Sequence, residues 1–158
     1  MNRRTIITFC CLAIAGSIVA LGAFSQTPTT PQRVAIHLPG TNPQLPFSDG
    51  ILTGNTLYLA GHIGLDPKTG QAPADVDVEI RLLLDSVKAT LTAAGLTMDD
   101  LVYVQISCTD LSLFDRFNTI YRTYFTTKDL PARQFVGAAA LLRGGHFELQ
   151  SIAVRRAQ

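Results

Sequence analysis

Apolar residues in this chain follow two rhythms that alternate from Arg33 onward. The opening stretch is strand-like. A first strand is expected over 33–38, then a loop rich in Pro and Gly, then strands over 51–53 and 56–63 joined by Gly54-Asn55, a strong hairpin signal. Asp66-Pro67-Lys68-Thr69-Gly70 has Pro and Gly where a second turn wants them. The period then changes. Ile80, Leu83, Leu84, Val87 and Leu91 recur at three-four spacing and predict a helix over 76–94, with Gly95 as its C′ residue. Val102, Val104, Ile106 and Cys108 alternate with Tyr103, Gln105 and Ser107, a half-buried strand over 101–108. Phe114, Phe117, Tyr121 and Tyr124 mark one face of a second helix, with Ser112 and Asp115 resembling a capping box. The apolar runs 135–142 and 151–154 read as two terminal strands of a buried sheet. This order predicts an α+β domain whose two helices pack on one face of a mixed sheet.

The segment before Arg33 has a different grammar. Arg3 and Arg4 precede an apolar stretch over 5–24, and Ala23-Phe24-Ser25 offers small residues at an A-x-A-like cleavage site. Residues 1–25 are expected to be a signal peptide, or an N-terminal membrane anchor if uncleaved. The Thr/Pro-rich 26–32 reads as a flexible leader and 33–158 as the single folded domain. Either route predicts export, to the periplasm or beyond.

Charge and cysteine content narrow the function. With Arg3 and Arg4 set aside, the thirteen basic residues fall to eleven against twelve acidic ones, and no basic stripe is present for nucleic acid. Cys10 and Cys11 lie in the apolar N-terminal stretch, leaving Cys108 as the only thiol of the domain; it reads as a small buried hydrophobe. His37, His62 and His146 are scattered without metal-ligand spacing, so no metal is expected. Phosphate-cradling and nucleophile-elbow motifs are missing as well.

The remaining chemistry lies near the C-terminus, where Arg133 and Glu148 stand alone in apolar surroundings. Isolated charges there are costly unless paired. Two readings are open: they pair with each other or sit at exposed strand ends, or a guanidinium grips an anion while a carboxylate handles water or a proton. Asn118 alone reads as an ordinary helix-surface amide.

Several segments in order carry a resemblance: Pro46-Phe47-Ser48-Asp49, the hairpin 54–61, the turn 66–70, the helix 110–125 with its Asn118, Pro131-Ala132-Arg133, the strand holding Glu148, and Ile152-Ala153-Val154. Together they resemble the RidA/YjgF family of imine and enamine deaminases over 34–156. The resemblance implies a homotrimer of chorismate-mutase-like subunits with sites in the clefts between them. It also implies cofactor-independent hydrolysis of 2-imino and 2-enamino acids, such as 2-iminopropanoate and 2-aminoacrylate, to 2-keto acids and ammonia. Arg133 would hold the substrate carboxylate, Glu148 would act as general base and acid, and Asn118, Phe47 and Ala60 would line the site. Phe47 replaces a frequent Tyr, Ala60 and His62 a frequent Ser and Gln, and Gln134-Phe135 smaller residues; these are expected to line or neighbour the pocket. His62 is either a proton-handling group or a structural residue of the hairpin. A trimer that binds a small carboxylate or a partner without turnover is the alternative.

Overall fold

The computed structural model of the chain describes residues 32–156. The targeting segment expected over 1–25, with Cys10 and Cys11, lies outside the described residues, as does all of the leader but its last residue.

Six strands and two helices follow the predicted order: β1 Arg33–Ile36, β2 Gly50–Thr53, β3 Thr56–Ile63, α1 Val76–Ala93, β4 Leu101–Cys108, α2 Phe114–Tyr121, β5 Ala132–Gly137 and β6 Phe147–Val154. They form one sheet in the order β1-β2-β3-β6-β4-β5. Only β4 and β5 run parallel, with α2 in the crossover between them; the other neighbours are antiparallel. The last strand therefore inserts at the centre, between β3 and β4.

Both helices cover one face of this sheet. Leu57 and Leu59 of β3, Val104, Ile106 and Cys108 of β4, and Phe147, Leu149 and Ala153 of β6 are buried with Ile80, Leu83, Leu84, Val87 and Leu91 of α1 and Phe117 and Tyr121 of α2. The helix stripe read from the sequence is the stripe that packs. Gly95 sits past α1 at φ 71°, and Leu96 N–H donates to Leu91 O at 2.9 Å, closing the helix as its C′ position requires. Cys108 is buried and its Sγ donates to Asp110 O at 3.1 Å, a structural thiol whose pKa burial raises.

Two local expectations change. The turn before α2 is capped by Asp110, which accepts from Ser112 N–H at 2.9 Å, rather than by a Ser112–Asp115 box. The apolar run 135–142 is only half strand: β5 ends at Gly137, because β4 ends at Cys108 and leaves no ladder beyond Ala138 N–H, which donates to Cys108 O at 2.8 Å. Leu142, expected inside, is 75% exposed.

A buried carboxylate fixes the start of the central strand. Glu79 of α1 is fully buried and accepts from His146 N–H at 2.6 Å and Phe147 N–H at 3.1 Å, while His146 Nδ1 lies 2.7 Å from its other oxygen. Three partners compensate its desolvation and tie α1 to β6 one residue before Glu148.

Candidate active site

Arg133 and Glu148 do not meet within this chain. In a sheet, directly paired residues share a face and successive residues alternate. Arg133 pairs with Val104 of β4, and Glu148 pairs with Ser107 of the same strand. Positions 104 and 107 differ by an odd number, so Arg133 lies on the helix-covered face and Glu148 on the open one. The structural ion pair is thereby excluded, and the five residues expected at one site divide into two groups.

Arg133, from edge strand β5, reaches the margin of α2. With Asn118, Tyr121, Arg122, Leu130 and Pro131 it lines a cavity of about 180 Å3. Its guanidinium carbon lies 5.0 Å from the Tyr121 ring centre, 5.6 Å from Phe114 and 5.8 Å from Phe135, a three-ring shelf that orients the cation. Burial pushes its pKa below the ordinary arginine value, Tyr121 opposes that, and the like charge of Arg122 adds to it. An arginine remains cationic nonetheless. Burial likewise pushes the Tyr121 phenol up to about 12, and among the described residues its hydroxyl has no hydrogen-bond partner. An oriented cation beside an open cavity is an arrangement that can hold an anion.

Glu148 lies on the open face, beside Ile63 of β3 and Ser107 of β4. With Phe47, Ala60, Gly61, Ile63, Leu65, Leu142 and Arg143 among its neighbours it lines a second cavity of about 520 Å3, mostly apolar. A break in register between Leu59 and His62 places Ala60 and Gly61 opposite Gln150 alone. This bulge brings the Gly61 backbone against the carboxylate: a Cβ built there would lie 2.1 Å from Glu148 Oε1, so any other residue would have to displace that carboxylate. Arg143, at this cavity's edge, holds φ at 58°, a left-handed conformation costly for a residue bearing a Cβ.

The same bulge decides His62. It turns that side chain to the helix face, where Nδ1 lies 2.8 Å from Ser86 Oγ and the residue is 6% exposed. Burial lowers its pKa, with Asp49 opposing. His62 is thus a buried residue of the core side, away from the Glu148 cavity it was expected to neighbour. Gln134 also leaves the Arg133 site, accepting from Tyr103 Oη at 3.1 Å on the open face, whereas Phe135 forms part of the aromatic shelf.

Sequence reading missed Gly61, Arg122 and Arg143 as site neighbours and took Phe114 and Tyr121 as core alone. A glycine inside an apolar strand and aromatic positions spaced along α2 toward Arg133 were the available signals.

Comparison with known proteins agrees with this architecture. Residues 39–155 match the family model described as endoribonuclease L-PSP. The 2-iminobutanoate/2-iminopropanoate deaminase of Escherichia coli K12 is 40% identical over 113 residues, 70% of this chain and 88% of that protein. The crystal structure of the YjgF gene product from E. coli is similar at a TM-score of 0.66 and 38% identity, covering 77% of this chain and 94% of that one. E. coli TdcF with bound serine gives a TM-score of 0.67 at 34% identity, with coverage of 77% and 94%. Fold, motif order and these matches together place the chain in the RidA/YjgF family.

Proposed function

We propose that this protein is a hydrolase of reactive 2-imino and 2-enamino acids whose active site is completed between subunits of a homotrimer. The observation that carries the reading is the split itself. An anion grip without a proton-transfer group lies on one face of the sheet, and a carboxylate in an apolar cavity lies on the other. Each is half of a hydrolytic site, and a head-to-tail ring of subunits can join one half to the other. The open sheet face, with Tyr58 50% exposed and its neighbours Ile152 and Tyr103 half-buried, offers apolar surface for such packing. Relatives named as 2-iminobutanoate/2-iminopropanoate deaminases and a relative with bound serine support a small amino-acid-like substrate.

In this reading Arg133 of one subunit holds the substrate carboxylate by two charge-assisted hydrogen bonds, and Asn118 orients it. Glu148 of a neighbouring subunit takes a proton from water as the water oxygen bonds to the imine carbon. The C=N π pair moves to nitrogen, which receives that proton and gives a carbinolamine. The carboxylate then carries the carbinolamine hydroxyl proton to nitrogen as the C–N bond breaks, and ammonia leaves with the 2-keto acid behind. The imine carbon is already electrophilic, so the scheme requires no cofactor. Phe47 and Ala60 supply apolar walls beside the reacting atoms. The sequence pattern over 1–25 supports an activity outside the cytoplasm, which cell fractionation and the mass of the mature chain would test.

Mixed trimers test the split site. Arg133→Ala and Glu148→Gln are each expected to be nearly inactive on 2-iminobutanoate generated in situ. Refolding the two variants together should restore roughly a quarter of wild-type activity, because random assembly pairs an intact Arg133 with an intact Glu148 across about one interface in four. No recovery in correctly assembled mixtures would reject the shared site. A wild type that adds nothing to spontaneous hydrolysis would reject catalysis and leave the carboxylate-binding alternative.

A further inference from the structure

The Arg133 cavity contains more positive charge than a simple 2-imino acid requires. Of its six lining residues two are arginines, Arg122 and Arg133, and the other four are an amide, a phenol, a leucine and a proline. Among the described residues neither arginine has a carboxylate within 4.0 Å, whereas Arg116 pairs with Asp75 and Asp77, and Arg156 with Asp100. Arg155 is engaged too, donating to Ala94 O at 2.8 Å. Two like charges thus line one small space without a counterion, and the proximity of Arg122 adds to the depression of the Arg133 pKa. A cation at the C-terminal end of α2 is favoured by the helix dipole. That accounts for a basic residue at position 122, but not for its side chain lining the same cavity as Arg133. Bringing an anion between them would relieve their repulsion, and one carboxylate already engaged by the guanidinium on the aromatic shelf leaves Arg122 free for a second.

We propose that the preferred substrates are doubly anionic, the 2-imino acids derived from acidic amino acids, with Arg133 holding the α-carboxylate and Arg122 the side-chain carboxylate. This rests on the imine-hydrolase reading and specifies its substrate class. The reaction that supplies such a substrate is the two-electron oxidation of an acidic amino acid at its Cα–N bond. The product is the corresponding 2-keto dicarboxylate.

The test compares iminosuccinate and 2-iminobutanoate, each generated in situ by an amino-acid oxidase, for wild type, Arg122→Ala and Arg122→Lys. Keto-acid formation gives kcat/KM for each substrate. Wild type should favour the dicarboxylate, and Arg122→Ala should lower the dicarboxylate-to-monocarboxylate ratio about two- to fivefold, as loss of one charged contact at an exposed site implies. Arg122→Lys should recover part of the ratio, since it restores the charge without the fork. A ratio unchanged by Arg122→Ala overturns the inference. So does a ratio that falls with Arg143→Ala instead, or an Arg122→Ala chain that loses its oligomeric state, which would make Arg122 an interface residue. Calorimetric binding of succinate against butyrate separates the two failures. If no imine is turned over yet succinate binds more tightly and Arg122→Ala removes the difference, the hydrolase reading falls and the dianion site stands. If both imines are hydrolysed without charge preference, the hydrolase stands and the dianion site falls.

Discussion

Arg133 and Glu148 are held in place by different parts of the molecule. Arg133 sits on edge strand β5, which has one strand neighbour, and three aromatic side chains from α2 and β5 set the direction of its guanidinium. Glu148 sits on the central strand β6, paired on both sides, with the bulged backbone of Gly61 directly against its carboxylate. One group is positioned by side chains, the other by backbone. A long, flexible cation can be aimed by rings that share its surface, whereas the carboxylate is confined on one side by a backbone that no side-chain rotation moves aside.

Four substitutions can break that contrast, in descending order of expected effect. Glu148→Gln keeps the shape and removes the proton acceptor; kcat for imine hydrolysis should fall by roughly 10²–10⁴-fold with little change in KM. An unchanged kcat would leave the carboxylate without a chemical role. Gly61→Ala places a Cβ where Glu148 Oε1 now lies, so the carboxylate must shift. We expect a loss of roughly tenfold in kcat, because catalysis is sensitive to displacements of about 1 Å. Steady-state kinetics beside a thermal melt separates that displacement from general unfolding. On the other side of the contrast, Phe114→Ala removes one ring of the shelf under Arg133, worth about 0.5–1 kcal/mol. KM should rise about two- to fivefold with kcat nearly constant, and a kcat effect instead would mean that the shelf does more than orient the guanidinium.

The smallest effect concerns His62, on the core side of the bulge. Its folded-state pKa is lowered from the ordinary 6.5 by burial, so below that pH the unfolded chain binds a proton that the folded chain resists. Stability from the neutral imidazole is complete above pH 6.5 and is lost progressively as the pH falls from there toward the folded-state value. Urea midpoints measured across this range should decline for wild type and decline less for His62→Gln. Identical slopes would show that His62 does not carry the acid sensitivity.

Elements and their order were legible because each long segment has one dominant period. The stripe Ile80, Leu83, Leu84, Val87, Leu91 and the alternation from Val104 to Cys108 allow only one buried face each. The end of β5 was not legible: 135–142 is uniformly apolar, and its strand stops where β4 stops, a partner's boundary rather than its own. The fate of His62 was hidden for a similar reason. A bulge at Ala60 and Gly61 reverses the alternation, and it is defined only against β6, nearly ninety residues away in sequence.

The chain by itself determined the α+β class, the buried stripe of α1, the hairpin at Gly54-Asn55, and the family through motifs kept in order. Those are properties of neighbouring residues and of local periods. Of the stripe read for the second helix, Phe117 and Tyr121 are buried, whereas Phe114 is 41% exposed and Tyr124 lies past the end of α2. Whether Arg133 and Glu148 belong to one cavity or two was decided by tertiary structure alone. Sheet register sends residues on adjacent strands to the same or opposite faces according to odd or even offsets, and only the pairing of β4 with both β5 and β6 supplies that count.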